Sequence, residues 1–275
     1  MNKQERTYGF DYLRAFACLC IILLHTTYST TLMYASEYTA RQTLISQMVM
    51  NNLMWCVPCF IMVTGALLLP PEKELTYGAL FKKYIARVLK AIVVFGVIFL
   101  LSVMAFAPAR RTFAYFFQGL YKIFTGDTWS HMWYLYCLIG LYLLLPFYKK
   151  AAALSEEKDI RYLLIVYAIF LSILPQVNAF GIRCGFYIHV SSIYPFWLFL
   201  GYYLRCWGQR KKRSFYVWIF AVSTVLLVAM TLVRMRWDIA SLDMLFEYNS
   251  ILVIGQAFGI AGWFFRCREE GAAPL

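Results

Sequence analysis

Two ionisable residues lie within the first apolar segment of the chain, where charge is costly and usually functional. Arg14 and His25 are separated by 11 positions. At about 100° per residue this equals three turns plus about 20°, so both side chains share one helix face, about 16 Å apart along the axis. An arginine near one membrane surface suits an anion, and a histidine nearer the other surface suits proton transfer. The pair is typical of a reaction whose two substrates arrive from opposite sides.

The same residues also have purely structural explanations. Asp11 lies three positions before Arg14, so the two are expected to form a structural pair on one turn. Arg14 could instead extend to the lipid headgroups, and His25 could simply hydrogen-bond a neighbouring helix. Spacing alone leaves the functional and structural interpretations equally open.

The elements that must position these residues are membrane-spanning helices. Of 275 residues, 62% are hydrophobic and only 15% are charged, which excludes a soluble multidomain enzyme. A spanning helix needs about 20 apolar residues, and eight segments of roughly that kind occur. The sequence therefore predicts an all-α, polytopic transmembrane bundle of about eight helices. The predicted spans are Phe10–Thr30, Leu44–Leu69, Tyr84–Ala107, Trp133–Phe147, Tyr162–Val177, Phe186–Leu204, Phe215–Val233 and Asn249–Phe265.

The segment Phe113–Phe124 is aromatic and apolar but only about a dozen residues long, so it is interpreted as interfacial or re-entrant. With that assignment, seventeen of the 26 Lys and Arg residues fall on the side of the N-terminus and seven on the other. The positive-inside rule then predicts that both termini are cytoplasmic. The net charge of +12 is thus an orientation signal, and no nucleic-acid partner is expected. The first helix carries Asp11, Arg14 and His25 and no small-residue cleavage site, so we expect it to remain in the membrane.

Five segments, in order along the chain, are similar to the acyltransferase family 3 membrane proteins, in the branch of surface-polysaccharide O-acetyltransferases. The first, at residues 8–25, has the family's Arg, ten residues, then His. The segments read YGFDYLRAFACLCIILLH, VPCFIMVTGALLL (57–69), FKKYIARVLK (81–90), HMWYLYCLIGLYLLLP (131–146) and YPFWLFLGYYLR (194–205). The resemblance covers roughly residues 6–265.

This resemblance implies an O-acyltransferase that moves an acyl group, commonly acetyl, from cytoplasmic acyl-CoA to a hydroxyl of an extracytoplasmic glycan or lipid-linked sugar. Acetyl-CoA would be a co-substrate, with no bound cofactor, and the protein would lie in the inner (cytoplasmic) membrane. The family's catalytic Arg and His fall on Arg14 and His25. Its donor-binding basic cluster falls on Lys83 and Arg87, together with Arg14, although positive-inside anchoring also explains basic residues there.

Other candidate residues have weaker support from sequence motifs. His131 and Trp133 stand at the outer entrance of a predicted helix and are candidate acceptor-binding residues, although an interfacial belt would also place Trp there. Cys56 and Cys59 have C-x-x-C spacing, but lie in an apolar helix where packing and a kink at Pro58 are the simpler interpretation. No His or carboxylate has a spacing that predicts a metal site.

Residues 1–267 are predicted to form one acyltransferase-like membrane domain, followed by a short cytoplasmic tail at 268–275. Members of the family have about ten helices, so the resemblance implies that the last two are missing here. Two alternatives to an active enzyme remain: a transporter or flippase for a glycan or small solute, since buried charges also serve transport, and an inactive truncated member of the fold.

Overall fold

The computed structural model describes residues 8–182, 184–190 and 192–266, and throughout these ranges the regular elements are helices. The predicted tail at 268–275 and the basic residues Lys3, Arg6, Arg183 and Arg268 lie outside the described residues. In chain order the α-helices are α1 (Tyr8–Met33), α2 (Ala40–Asn52), α3 (Cys56–Leu68), α4 (Tyr77–Ala79), α5 (Ala86–Phe106), α6 (Phe113–Thr125), α7 (Trp133–Leu154), α8 (Glu157–Tyr167), α9 (Leu174–Ala179), α10 (Tyr194–Trp207), α11 (Arg213–Trp237) and α12 (Ile251–Phe265).

Seven helical segments of the described chain are long and apolar enough to cross a membrane. Short π-helical turns join α4 to α5 and α8 to α9, so each pair forms one continuous span. The all-α polytopic prediction is therefore confirmed. The seven segments are Tyr8–Met33, Ala40–Leu68, Tyr77–Phe106, Trp133–Leu154, Glu157–Ala179, Arg213–Trp237 and Ala240–Phe265.

The predicted span Phe186–Leu204 differs from the structure. It is helical only within α10, whose 14 residues rise about 21 Å, short of the roughly 30 Å hydrocarbon core. The preceding segment leaves the helix at Gly181, which has a φ of 88°, and a new helix begins beside Pro195. Most of α10 is buried by protein, so its apolar character comes from core packing.

The chain divides into two compact units. Unit 1 comprises the chain up to Pro70 and from Ala152 onward, and unit 2 comprises Pro71–Ala151. Arg14 and His25 belong to unit 1, whereas Lys83, Arg87 and the residues around His131 belong to unit 2.

The core of unit 1 is a close crossing of α3 and α10. A Cβ added to Gly65 would overlap the backbone of Leu198, and one added to Gly201 would overlap the backbone of Met62. Small residues at such crossings let two helix backbones touch, which is the principal means of packing helices in lipid. Gly65 therefore has the packing function expected of a helix-interface glycine.

The helices α11 and α12 form a second close pair. Gly255 and Gly259, four residues apart on α12, face Ser223 and Phe220 of α11. Between them Gln256, fully buried, donates to Asn52 at 3.2 Å and to Thr224 at 2.9 Å. A polar link of this kind joins α2, α11 and α12 within the apolar region.

The helix that begins near the N-terminus and the helix that ends the described chain meet at one end of unit 1. The rings of Phe10 and Phe265 pack edge to face with centroids 4.6 Å apart. At the same end Arg205, in the last turn of α10, donates to the carbonyl of Ala66 at 3.0 Å. The start of α1 and the end of α12 therefore lie on the same side of unit 1.

A break separates α2 from α3 at residues 53–55. Pro58 lies in the first turn of α3, where its ring would clash with the carbonyl four residues earlier if the helix continued unbroken. The kink predicted at this proline is therefore present as a full interruption.

Unit 2 contains α5, α6 and α7, whose side chains share an apolar cluster formed by Val88, Ile92, Ile123, Met132 and Leu138. Gly96 faces Ile123 and Gly119 faces Leu100, which brings α6 close to α5. The 13 residues of α6 are too few to span, and the opposite face of α6 exposes Phe113, Phe117, Tyr121 and Phe124. This arrangement has the features of an interfacial helix.

Candidate functional site

The first helix presents Arg14 and His25 on the side that packs against the rest of unit 1. Leu13 and Ala17 are fully buried on this side, while Arg14 and His25 are half-buried beside them. The opposite side of α1 is apolar and exposed. The structure therefore places both predicted catalytic residues on the bundle-facing side, separated by about 16 Å along the axis.

Arg14 pairs with Asp11 across one turn, with Nη1 and Oδ1 3.7 Å apart. Both side chains are 40% exposed, so the pair is screened and weak. A guanidinium has five N–H donors, and one long contact leaves most of them for an anion. The expected pair of Asp11 and Arg14 is therefore present, and anion binding by Arg14 stays a prediction.

A cavity of about 390 Å³ opens beside the last turn of α10 and is called here the cationic cavity. Arg161, Arg210 and Lys211 contribute three positive charges against one carboxylate, Glu157, which is paired with Arg210 and accepts from Tyr203 at 3.4 Å. The walls are mostly aromatic. The complete lining is Glu157, Arg161, Tyr203, Trp207, Gly208, Arg210, Lys211, Phe215, Tyr216 and Phe258.

A larger cavity of about 580 Å³ lies between α2, α11 and the segment before α12, and is called here the acidic cavity. Arg234 forms a two-bond contact with Asp243, at 2.7 and 3.3 Å, and contacts Asp238 at 2.5 Å. Asp238 ends α11 in the left-handed conformation, with a φ of 51°. The complete lining is Gln47, Asn51, Met54, Thr231, Arg234, Met235, Asp238, Asp243, Phe246 and Glu247.

The two cavities lie at opposite ends of unit 1. Arg213, at the start of α11, donates to the carbonyl of Arg266, which follows the Phe265 that packs on Phe10. The cationic cavity is at this end, which is also where α1 begins and Arg14 lies. Thr231 of the acidic cavity comes 18 residues later along α11, a rise of about 27 Å. The acidic cavity is therefore at the end toward which α1 carries His25.

The predicted donor residues of unit 2 lie together on one turn. Lys83 is in the π-helical segment Leu80–Ile85 and Arg87 follows four positions later, and both side chains are exposed. Lys83 also lies 5.9 Å from the ring of Tyr84. π-Helical turns occur frequently at functional sites, and this one sets the direction of Lys83 relative to α5.

The predicted acceptor residues of unit 2 lie at the start of α7. The ring of His131 packs edge-on against Phe99, with centroids 4.9 Å apart, and partial burial lowers the pKa of this imidazole. Trp133 packs against Tyr134 with centroids 6.2 Å apart. In unit 2, the donor candidates Lys83 and Arg87 and the acceptor candidates His131 and Trp133 therefore lie on separate segments.

The cysteines of the C-x-x-C segment are buried free thiols on α3. Cys56 hydrogen-bonds Cys20 of α1, and Cys59 lies fully within the core. This environment corresponds to the packing interpretation of the segment.

Sequence reasoning missed both cavities. In the sequence, the basic residues of the cationic cavity are interpreted only as an orientation signal. Aromatic residues flank Arg210 and Lys211 on both sides between Tyr203 and Tyr216 and could have indicated a binding site. For the acidic cavity, Gln47 and Asn51 on one face of a predicted span, and Asp243 and Glu247 four residues apart, were the available signals.

These features define the class of the protein: a polytopic helical membrane protein with Arg14 and His25 half-buried on one side of α1 and cavities at both ends of unit 1. A family model described as an acyltransferase domain, that of acyltransferase family 3, matches residues 7–270. The match covers nearly the whole chain, so the chain belongs to this family and is a membrane acyltransferase. No curated protein and no solved structure matches it significantly.

Proposed function

We propose that the chain transfers an acyl group, in the first instance acetyl, from cytoplasmic acyl-CoA to a hydroxyl of an extracytoplasmic glycan or lipid-linked sugar. The observation that carries the proposal is the placement of Arg14 and His25 on one bundle-facing side of α1, at depths about 16 Å apart. A donor held at one surface and an acceptor approaching from the other require this separation. The corresponding site of action is the inner (cytoplasmic) membrane.

The donor is an anion with a long flexible arm, so its phosphates need cations at the cytoplasmic surface. Cations are proposed to bind these phosphates in each unit by itself: Arg14 in unit 1, and Lys83 and Arg87 in unit 2. Guanidinium and ammonium groups donate strong charge-assisted hydrogen bonds to phosphate. The cationic cavity supports donor binding at this end of unit 1, because its positive charges also lie at the Arg14 end. The pantetheine arm would then carry the thioester toward His25.

His25 is proposed as the general base. Its neutral imidazole accepts the proton of the acceptor hydroxyl as the hydroxyl oxygen attacks the thioester carbonyl carbon. The new C–O bond forms, the C–S bond breaks, and the thiolate leaves and takes up the proton from the imidazolium. The products are the O-acyl sugar and free coenzyme A.

Acceptor-binding roles are proposed for His131 and Trp133. The lowered pKa of His131 keeps its ring neutral near pH 7, so it can hydrogen-bond a hydroxyl without carrying charge. An indole face can stack on the C–H face of a sugar ring.

The test is transfer of radiolabelled acetyl from acetyl-CoA to glycolipid extracted from the source membrane, catalysed by the purified chain. Replacing His25 with Ala should lower the rate about 10² to 10⁴-fold, because it removes the general base. His189→Ala is the matched control, since His189 is exposed and packs only against Tyr187 among the ring contacts of the described residues. Full activity in His25→Ala, or equal loss in both variants, would contradict the proposed role.

A further inference from the structure

We propose that the acidic cavity binds the acceptor and selects sugars without negative charge. This inference rests on the proposed function. It names the acceptor class and a binding place within unit 1, separately from the acceptor contacts proposed for His131 and Trp133 within unit 2. The cavity volume of about 580 Å³ falls within the range of small-molecule sites, about 300 to 1,000 Å³.

The cavity presents hydrogen-bonding groups that are not used by the fold. The amide of Gln47 and the carboxylate of Glu247 make no hydrogen bond or ion pair within the described part of the chain. Asn51 donates to Thr231 at 3.0 Å, which leaves the amide oxygen of Asn51 as an acceptor. Sugar hydroxyls both donate and accept, so amides and a carboxylate are suitable partners.

Apolar residues complete the cavity. Phe246 and Met54 line it and belong to the packed cluster around Leu227 and Val253. The ring of Phe246 can pack on the C–H face of a sugar, while the amides of Gln47 and Asn51 can hydrogen-bond its hydroxyl edge.

The charge of the cavity determines which sugars fit. Three carboxylates, those of Asp238, Asp243 and Glu247, face one guanidinium, that of Arg234, which leaves two negative charges. Asp243 holds Arg234 through two parallel bonds, so the guanidinium is already occupied. A uronic acid or a phosphorylated sugar would meet this excess of negative charge, which disfavours its binding relative to a neutral sugar. The side chains of Asp243 and Asp238 are 59% and 94% exposed, so solvent screens part of this repulsion.

The position of the acidic cavity agrees with the proposed acyl transfer. The helix α2 packs against both α1, which carries His25, and α11, which carries Thr231 and Arg234. The acidic cavity and His25 lie toward the same end of unit 1, opposite the cationic cavity. An acceptor bound here would enter from the side away from the donor.

The experiment is ligand-observed NMR on the full chain in lipid nanodiscs without acyl-CoA. The probes are methyl glucoside, which is neutral, and methyl glucuronide, which is anionic. We expect the glucuronide to bind at least about tenfold more weakly than the glucoside. In the double variant Asp243→Asn/Glu247→Gln this ratio should fall below about threefold, whereas Glu37→Gln, which removes a charge outside the cavity, should leave it unchanged.

A second variant tests the location. Gln47→Ala should weaken glucoside binding about five- to tenfold, because it removes an amide that faces the sugar. Thr43→Ala, one turn earlier on α2 and outside the cavity, is the matched control. Thermal unfolding of each variant confirms that it folds.

Equal binding of glucuronide and glucoside would overturn the charge selection. Absence of glucoside binding to the wild type, or binding unaffected by Gln47→Ala, would overturn the site. Selective binding without acetyl transfer would retain the site and reject the proposed acetyl transfer to a sugar. Acetyl transfer without glycoside binding would retain that transfer and reject the site.

Discussion

At the scale of single residues, the account depends on one helix face. The 11-residue spacing of Arg14 and His25 follows from the periodicity of an α-helix, so their shared face could be predicted from sequence. The structure shows that this face is turned toward the bundle, because Leu13 and Ala17 on it are buried and the opposite face is apolar and exposed. Sequence could not reveal which partners surround them, since these come from distant segments.

Arg14 is expected to act on donor affinity. Arg14→Ala should raise the KM for acetyl-CoA about tenfold with a smaller change in kcat, because it removes charge-assisted hydrogen bonds to phosphate. Asp11→Asn should change the KM less than threefold, since the pair that it breaks is 3.7 Å long and exposed. Steady-state kinetics over a range of acetyl-CoA concentrations measures both, and a larger effect of Asp11→Asn would show that Arg14 is only structural.

Lys83 and Arg87, the exposed donor candidates of unit 2, are also expected to act on donor affinity. Lys83→Ala and Arg87→Ala should each weaken acetyl-CoA binding about tenfold by calorimetry. Lys82→Ala is the matched control, because it removes an equally exposed cation from the adjacent position. Equal losses in all three variants would indicate general attraction by positive charge and contradict a specific phosphate site.

At the scale of helices, apolar length predicted most spans because lipid requires about 20 apolar residues and satisfied backbone hydrogen bonds. The same criterion failed for α10. Its apolar residues face other helices instead of lipid, and hydropathy does not distinguish these surroundings. Gly181 and Pro195 do indicate where the preceding helix ends and α10 begins, because a residue in the left-handed conformation commonly ends a helix and a proline commonly begins one.

The crossing of α3 and α10 is expected to be the most sensitive packing contact of unit 1. Gly201→Ala should destabilise the protein by about 1 to 3 kcal/mol or more, because its Cβ would overlap the backbone at Met62. Gly140→Ala is the matched control: it lies in α7 with no other atom within 4 Å of an added Cβ, so it should be neutral or slightly stabilising. Thermal unfolding in detergent compares them, and equal Tm values would contradict the close crossing.

At the scale of the whole molecule, the sequence predicts about eight spanning helices and seven helices of spanning length are present in the described chain, since α10 is too short. The contact of Phe10 with Phe265 places the two ends of the described chain on one side. The cavities could not be predicted, because each combines residues from segments far apart in sequence, such as Gln47 with Asp243.

Topology reporters test the contribution of α10 directly. A reporter inserted after Gly185 should be extracytoplasmic, whereas one inserted after Gln209 should be cytoplasmic, because α10 lies between them. A reporter in the loop after Ala35 is the control for the extracytoplasmic side. If both reporters were found on the same side of the membrane, α10 would not span it.

The central claim is that the acyl group passes from a donor on one side to an acceptor on the other. It is tested most directly with the chain reconstituted in vesicles that contain methyl glucoside, with radiolabelled acetyl-CoA added outside. The account predicts labelled O-acetyl glucoside inside those vesicles whose protein presents the cationic cavity outward, and about 10² to 10⁴-fold less with His25→Ala. Passage of unmodified glucoside across the membrane without acetyl-CoA, and no labelled product, would contradict the account and indicate a transporter.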